Sequence, residues 1–312
     1  MNQKLLEQAL KELDLEIISL KNIRPTVFLI NTHDATYVLK FYGDRGIRRV
    51  INHIRWDSYV CFKNEIEVNR QMLQFNERSF LFPKMLKTDE KHYILFEHIE
   101  DYMMSHRDEL TDDNIVSSLL AFQTSKIHVR HNLYYRYRIF LKRNIPIKIL
   151  RWSRKVLYRP KHLLLWFRCY LFALKALFLS KKTNVSLQTH NDLFRYNNMI
   201  LNRDNQLYLC DFEFVKRDQK WFLIDIIDLC FDLKTFEFNQ TLFGKYITEL
   251  SKVTDLSTSR YKTQIKVILL RKILGQLTRA DLTLERKEQL VEFIESTLMN
   301  NEAYNLWYAL NI

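Results

Sequence analysis

Hydrophobic positions along the first hundred residues switch between two periods. Residues 2–14 read as a short amphipathic helix. LEIISL (15–20), TVFLINT (26–32) and TYVLKFY (36–42) are rich in β-branched and aromatic residues and read as strands. Thr32-His33-Asp34-Ala35 closes the second and third of these as a hairpin, and a polar, Arg-rich connection follows at 43–60. CFKNEIEVNRQMLQF (61–75) carries apolar side chains at 62, 66, 68, 72 and 75, mostly one face of a helix. After Pro83, KMLKTD and HYILFEHI (92–99) read as two more strands. From about 110 onward the pattern is mainly helical, apart from short strand-like pieces at 185–189, 198–202 and 207–212. The order predicts an α+β chain: a strand-rich first third, one helix embedded in it, and a helical remainder. It contains no internal repeat and no low-complexity tract.

Composition narrows the chemistry. The chain has 312 residues, enough for one large or two modest domains at about 150 residues each. It contains four glycines, at 43, 46, 244 and 275, where average usage would give roughly 22. Those positions cannot build G-x-G-x-x-G or G-x-x-x-x-G-K-[ST], so dinucleotide-binding fingerprints and Walker-type phosphate loops are excluded. Cys61, Cys169, Cys210 and Cys230 are scattered among apolar neighbours with no C-x-x-C pair, which predicts free thiols in a reducing compartment. The N-terminal stretch is charged throughout and does not read as a signal peptide. A cytoplasmic protein is expected.

The formal charge of +12 is local. Between Asp113 and Asp192 there is no acidic residue, and the same stretch holds 16 Lys and Arg, all between Lys126 and Lys182. Outside it, 32 basic residues face 36 acidic ones. A +16 segment is embedded in a mildly acidic protein.

The densest chemistry lies in THNDLFRYNNMIL (189–201) followed by QLYLCDFEFV (206–215). Asp192 and Asn197 stand in an H-x-D-x-x-x-x-N pattern, and Asp211 ends the next strand-like piece. Phosphoryl transfer needs such a set: one carboxylate to orient and deprotonate the acceptor hydroxyl, and an amide plus a second carboxylate for Mg²⁺. The segment resembles the catalytic and metal loops of aminoglycoside phosphotransferases, choline kinases and related kinase-like small-molecule kinases. Their pattern is H-G-D-x-x-x-x-N, then [IL]-D-[FWY]-E, and Asp211-Phe212-Glu213 matches the latter part.

That resemblance implies a two-lobed protein-kinase-like α+β fold. A small β-rich nucleotide-binding lobe is expected at 1–98. A larger, mainly helical catalytic lobe is expected at 99–312, with a basic, aromatic-rich helical insert at about 126–186. It implies ATP and Mg²⁺ as cofactors and transfer of phosphate to an alcohol. Asp192 becomes the catalytic base, and Asn197 and Asp211 the metal ligands. Lys40 becomes the phosphate clamp and Glu65 its positioner, while Glu97, His98 and Ile99 stand where backbone groups bind adenine. Glu67, two residues on, is the alternative to Glu65 and points about 160° away on a helix. Asp228 resembles the aspartate that braces the catalytic loop, with Asp225 as its rival. Two positions depart from the family: Asn191 replaces the glycine of H-G-D, and the first hairpin holds no glycine. Asn tolerates the left-handed backbone that Gly supplies. His190 reads as a loop brace rather than an acid or base. His128 and His131 lack further ligands at zinc spacing.

The acceptor is expected to be a sugar or a lipid-linked envelope glycan. In aminoglycoside-type kinases, the region before the catalytic loop builds much of the acceptor site and meets a polycation with carboxylates. Here that region has none. An anionic acceptor, or an anionic surface carrying one, fits better, and in charge and general layout the chain resembles lipopolysaccharide kinases. HLLLWFRCYLFALKALFLS (162–180) is almost wholly apolar, and Lys161, Arg168, Lys175 and Lys182 recur every seven residues along it. A membrane crossing there would separate Lys40 from Asp192 and Asp211, so a span is not expected. The stretch reads either as a core helix or as part of a peripheral contact of 133–182 with an anionic membrane, on the inner face. Basic-aromatic interleaving also suits RNA, the less favoured partner. The alternative function is a pseudokinase that docks through this segment.

Overall fold

The computed structural model describes residues 3–24, 26–42, 56–74, 80–101, 110–127, 144–179, 187–193, 198–218, 220–254 and 258–299. Asn197, His128 and His131, most of the Arg-rich connection at 43–60, and 133–143 and 180–182 of the basic segment, with Lys182, lie outside them. The chain divides into two compact units, residues 1–130 with 188–217, and residues 131–187 with 218–312.

The first unit is built on a five-stranded antiparallel sheet in the order β1-β2-β3-β5-β4. Its strands are β1 (Ser19–Arg24), β2 (Val27–Asn31), β3 (Thr36–Phe41), β4 (Met85–Thr88) and β5 (Tyr93–Glu97). Strand alternation sends two sets of side chains to opposite faces. Phe28, Ile30, Leu39, Phe41, Tyr93 and Leu95 pack with Leu6, Ala9 and Leu13 of helix α1 (Gln3–Leu13). On the other face, Ile94, Phe96 and Val38 pack with Phe62 and Ile66 of helix α2 (Trp56–Gln74). The sheet is thus sandwiched between two helices, and Lys40 shares the α2 face with Val38 and Tyr42.

The first strand forms four residues later than its hydrophobicity predicts. Leu15 and Ile17 pack against the α1 core cluster, while the strand is Ser19–Arg24, exposed at every position. Backbone pairing with β2, starting at Ser19 opposite Asn31, sets this edge strand. Pairing sets the strand and apolar content does not: Leu15 and Ile17 are half-buried outside it, while Ile18 and Leu20 are exposed.

The rest of this unit comprises α3 (Asp112–Thr124), β6 (Leu187–Thr189), β7 (Met199–Leu201), β8 (Leu207–Leu209) and β9 (Lys216–Asp218). Thr111 caps α3, its hydroxyl accepting from the Asn114 N–H at 3.2 Å. β7 and β8 form a hairpin, and the Leu209 N–H donates to the Leu81 carbonyl at 2.9 Å. That bond sets the end of β8, and with it Asp211, beside the segment that leads into β4.

The second unit is helical. It contains α4 (Ile145–Leu157), α5 (Leu163–Leu179), α6 (Ile224–Cys230), α7 (Gln240–Ser251), α8 (Thr258–Leu277) and α9 (Leu284–Phe293). Asn144 caps α4 through the Ile147 N–H at 3.2 Å, and Pro146 sits in the first turn where its missing donor costs nothing. α4 and α5 pack on each other and on α8. Gly275 of α8 admits the Trp152 ring, which lies 3.0 Å from where a Cβ would stand. Asp228, fully within this unit, faces Lys272 at 3.4 Å and Arg271 at 3.7 Å, and Lys272 also donates to the Asp228 and Phe231 carbonyls. Asp225 on the same helix is buried as well. Among the described residues, no helix is long and apolar enough to cross a membrane.

Candidate active site

Lys40 is the focus of the first unit. Its Nζ lies 2.7 Å from Glu65 Oε2, 2.6 Å from Asp211 Oδ1 and 2.8 Å from Glu213 Oε1. The β3 alternation aims Lys40 at α2, where Glu65 is buried between Phe62 and Ile66. Glu67 accepts instead from Gln71 of its own helix at 2.7 Å. Of the two glutamates that the sequence leaves open, Glu65 is the one turned to the lysine.

Tyr42, on the same sheet face as Lys40, completes the cluster. Its hydroxyl contacts Glu65 at 3.0 Å and donates to Glu213 in a short hydrogen bond. Sequence pattern assigns neither Tyr42 nor Glu213 a role, though both carry a signal. Tyr42 stands at i+2 from Lys40 in a strand, and Glu213 is the last residue of the Asp-Phe-Glu motif.

Charge in this cluster is tightly balanced. Burial pushes the Glu65 carboxyl up to about 7, with Asp211 and Glu213 adding to the rise and Lys40 opposing it. Burial also disfavours the Lys40 ammonium, but Glu65 and the surrounding oxygens reverse this and hold it well above its ordinary value. Asp211 is raised by burial and lowered more by Lys40, which leaves it below the usual carboxylate range. Lys40 therefore stays charged, and Asp211 stays ionised beside it.

Asn64, one residue before Glu65, fixes the turn that carries Asp211. Its side-chain N–H groups donate to the carbonyls of Phe212, Glu213 and Val215 at 3.2, 3.0 and 3.1 Å. Asp211 itself has φ 64°, a left-handed backbone that is costly for a residue bearing a Cβ. This strain sits at the residue expected to carry the metal.

The segment around Asp192 is braced from the same side. Asn191 has φ 66°, the conformation a glycine supplies in the related motif, and its amide donates to Thr189 O, Thr189 Oγ1 and Phe214 O. His190 is fully buried, its ring 5.4 Å from Phe212 and 6.0 Å from Phe122 of α3. Its Nε2–H donates to the Cys210 carbonyl at 2.8 Å, and burial lowers its pKa to about 4. A neutral, enclosed imidazole is a brace, as the sequence suggests. Asp192 accepts from Asn198 at both its carbonyl, 2.7 Å, and its carboxylate, 3.2 Å. Asn198, adjacent to the expected ligand Asn197, carries no motif signal of its own.

A cavity of about 430 Å³ opens beside the cluster. Val27, Val38, Phe96 and Ile200 give it apolar walls, and Lys40, Glu65 and Asp211 its charged end. Glu97, His98 and Ile99 line it too, and the Glu97 carboxylate is occupied by the Lys84 N–H at 2.8 Å. Apolar walls with a few convergent polar groups are the usual form of a small-molecule site. Arg24 lies on the rim, at the tip of the β1–β2 hairpin where it pairs with Val27. It adds a cation to the lining of the cavity.

The donor set fits a divalent cation. Oxygens of Glu65, Asp211 and Glu213 lie within 4.8 Å of one another. Carboxylate oxygens are the ligands Mg²⁺ prefers. Three carboxylates against one ammonium leave net negative charge for such an ion to neutralise.

No protein-family profile and no characterised protein sequence matches the chain. Solved structures do. The choline kinase LicA from Streptococcus pneumoniae is 17% identical with a TM-score of 0.59, over 94% of this chain and 99% of that one. The ternary complex of streptomycin, ATP and APH(2")-IIa gives 13% identity and a TM-score of 0.61, over 94% and 96%. The ternary complex of the aminoglycoside phosphotransferase APH(4)-Ia with ADP and hygromycin B gives 10% and 0.60, over 93% and 97%. The fold is therefore α+β and protein-kinase-like, of the kind found in choline kinase and aminoglycoside phosphotransferases.

Proposed function

We propose that the chain is a phosphotransferase that moves the γ-phosphate of ATP to a hydroxyl group. The observation that carries this reading is Lys40, gripped by Glu65, Asp211 and Glu213 at the charged end of a cavity lined by Glu97–Ile99. The nucleotide complexes among the similar structures support it.

In this reading Lys40 pairs with the nucleotide phosphates, and Glu65 holds its ammonium in place. Glu97, His98 and Ile99 lie along the adenine end, and the apolar walls exclude water from the base. Asp211 and Asn197 would hold Mg²⁺, with Glu213 as a further carboxylate. When bound, the ion would neutralise the charge that spreads over the transferring phosphoryl group. Asp192 orients the acceptor hydroxyl and accepts its proton. Asn198 fixes the Asp192 carboxylate for that task, and His190 stays neutral throughout.

The acceptor belongs to an anionic or neutral class, a sugar or lipid-linked glycan, since 114–191 offers no carboxylate to a polycation. A cytoplasmic enzyme working at the inner face of the membrane accounts for the +16 segment. The test is ATP turnover against sugars, glycolipids, choline and aminoglycosides, with Asp192→Asn and Asp211→Asn as controls. Both variants should lose turnover, and only Asp211→Asn should also lose Mg·ATP affinity. Full turnover by Asp192→Asn with the native acceptor would overturn the assignment.

A further inference from the structure

The helical unit has a surface that the proposed chemistry leaves unused. Among the described residues twelve large apolar side chains are exposed, and five of them, Tyr158, Leu163, Leu164, Phe167 and Leu171, fall within one stretch of fourteen residues. Among the described side chains of α5, Leu165, Cys169, Ala173 and Ala176 are buried. Positions 164, 167 and 171, followed by the exposed Lys175, follow helical spacing on the outer side. Leu164 is 73% exposed. An apolar helix that buries one face has left an equally apolar face outside.

The neighbouring helix supplies charge. α4 buries Ile149, Ser153 and Leu157 and exposes Arg151, Arg154 and Lys155. The turn from α4 to α5 continues with exposed Tyr158, Arg159, Pro160 and Lys161. The Tyr158 ring stands edge-on to Trp166 of α5, centroids 4.9 Å apart, which seats the turn on the second helix. Among the described residues, Glu288 of α9 pairs with this tip, 3.4 Å from Lys161. It offsets one cation and leaves Arg151, Arg154, Lys155 and Arg159 in excess.

We propose that the α4–α5 hairpin docks on an anionic lipid bilayer. The outer face of α5 enters the acyl boundary, and the exposed cations of α4 and the turn meet the headgroups. Charge complementarity selects the partner, since a second copy of this surface would bring like charges together. Aliphatic side chains select it further. Leu164 and Leu171 gain nothing from phosphate and sugar, whereas single-stranded nucleic acid is gripped by cations with stacking aromatics. Both halves of the surface match a bilayer interface, where apolar burial and attraction to anionic lipid add. The inference rests on the lipid-linked acceptor reading for its purpose, and on the hairpin alone for its geometry.

The experiment is co-sedimentation of the full chain with vesicles of phosphatidylcholine, with and without phosphatidylglycerol, across a salt series. Binding is expected only with the anionic lipid, and it should weaken as salt rises. Each engaged cation is worth about a fivefold change in partitioning. Arg151→Gln, Arg154→Gln, Lys155→Gln and Arg159→Gln together should therefore cost roughly 25-fold or more, even if two engage. Leu164→Ser with Phe167→Ser should also weaken binding, with circular dichroism unchanged. As a second readout, Leu164→Cys carrying an environment-sensitive dye should shift to the blue on anionic vesicles. Three results would overturn the proposal: no binding at low salt, equal binding to phosphatidylcholine alone, or displacement by an RNA oligonucleotide that binds the Leu164/Phe167 variant undiminished. Mg·ATP titration of the same preparations reads the proposed kinase site separately. Loss of vesicle binding with nucleotide binding intact counts against the surface alone, and the reverse against the kinase reading alone.

Discussion

Asn64 donates to the Glu213 carbonyl at 3.0 Å, and through that bond α2 holds the turn that carries Asp211. The residue before the lysine's partner thus positions the residue expected to hold the metal. Two neighbours on one helix orient both ends of the charged cluster, Glu65 by its carboxylate and Asn64 by its amide.

Replacing Asn64 should therefore do more than destabilise. Asn64→Ala takes a donor from three carbonyls, of which, among the described residues, only that of Phe212 keeps another, the Val215 N–H, a cost of about 1–3 kcal/mol. The turn should also relax, and Mg·ATP affinity should fall by at least tenfold. Urea unfolding and nucleotide titration together check this. A stability loss with unchanged affinity would mean that Asp211 is held by other contacts.

Much of this arrangement is legible in the chain, and the gaps have physical causes. Lys40 is readable because a strand places it, and Asp211 because it ends a short strand inside a recognisable motif. The edge strand β1 is misplaced by four residues because its partner, not its own apolar content, decides pairing. Asn64 and Arg24 are invisible to motif reading because each acts across a tertiary contact, and the i+2 spacing of Tyr42 from Lys40 marks its face but not its partners. Only the folded sheet shows that the face shared by Tyr42 and Lys40 meets α2, or that the β1–β2 tip brings Arg24 to the cavity.

The two glutamates of α2 should separate cleanly. Glu65→Gln removes the charge facing Lys40 and should lower kcat/KM for ATP tenfold or more. Glu67→Gln disturbs only a contact with Gln71 on the same helix and should stay within about threefold, as surface pairs of this kind are worth little. Steady-state kinetics of both variants decide the matter. Equal losses would place the helix in a different rotation when nucleotide binds.

Asn191 tests whether a side chain at a left-handed backbone position is a compromise. Its φ of 66° costs a Cβ-bearing residue about 1–2 kcal/mol, which the amide offsets through bonds to Thr189 and Phe214. Asn191→Ala loses those bonds and keeps the strain, while Asn191→Gly loses the bonds and relieves it. Stability should rank wild type, then Gly, then Ala, with Gly above Ala by about 1–2 kcal/mol in thermal or urea unfolding. Equal stability of the Gly and Ala variants would mean that the backbone relaxes out of the left-handed region once the amide is gone.

His190 should leave a signature in the pH dependence of stability. Its folded-state pKa of about 4 lies below the unfolded value of about 6.5. The unfolded chain therefore takes up the proton first as pH falls. The stability tied to neutral His190 is present above about 6.5 and is lost as pH drops toward 4, in all on the order of 3 kcal/mol. Glu65 works against it in the same window. Its carboxyl, pushed up to about 7 by burial, costs stability when ionised and returns that stability as it protonates. The raw profile should consequently be flatter than His190 alone would make it. The informative quantity is the difference between the wild type and His190→Gln, which can still donate to the Cys210 carbonyl. That difference should shrink with falling pH by up to about 1.4 kcal/mol per unit between roughly 6 and 4.5. A difference that stays constant over this range would show that His190 titrates normally, and the enclosed brace between Phe122 and Phe212 would have to open in solution.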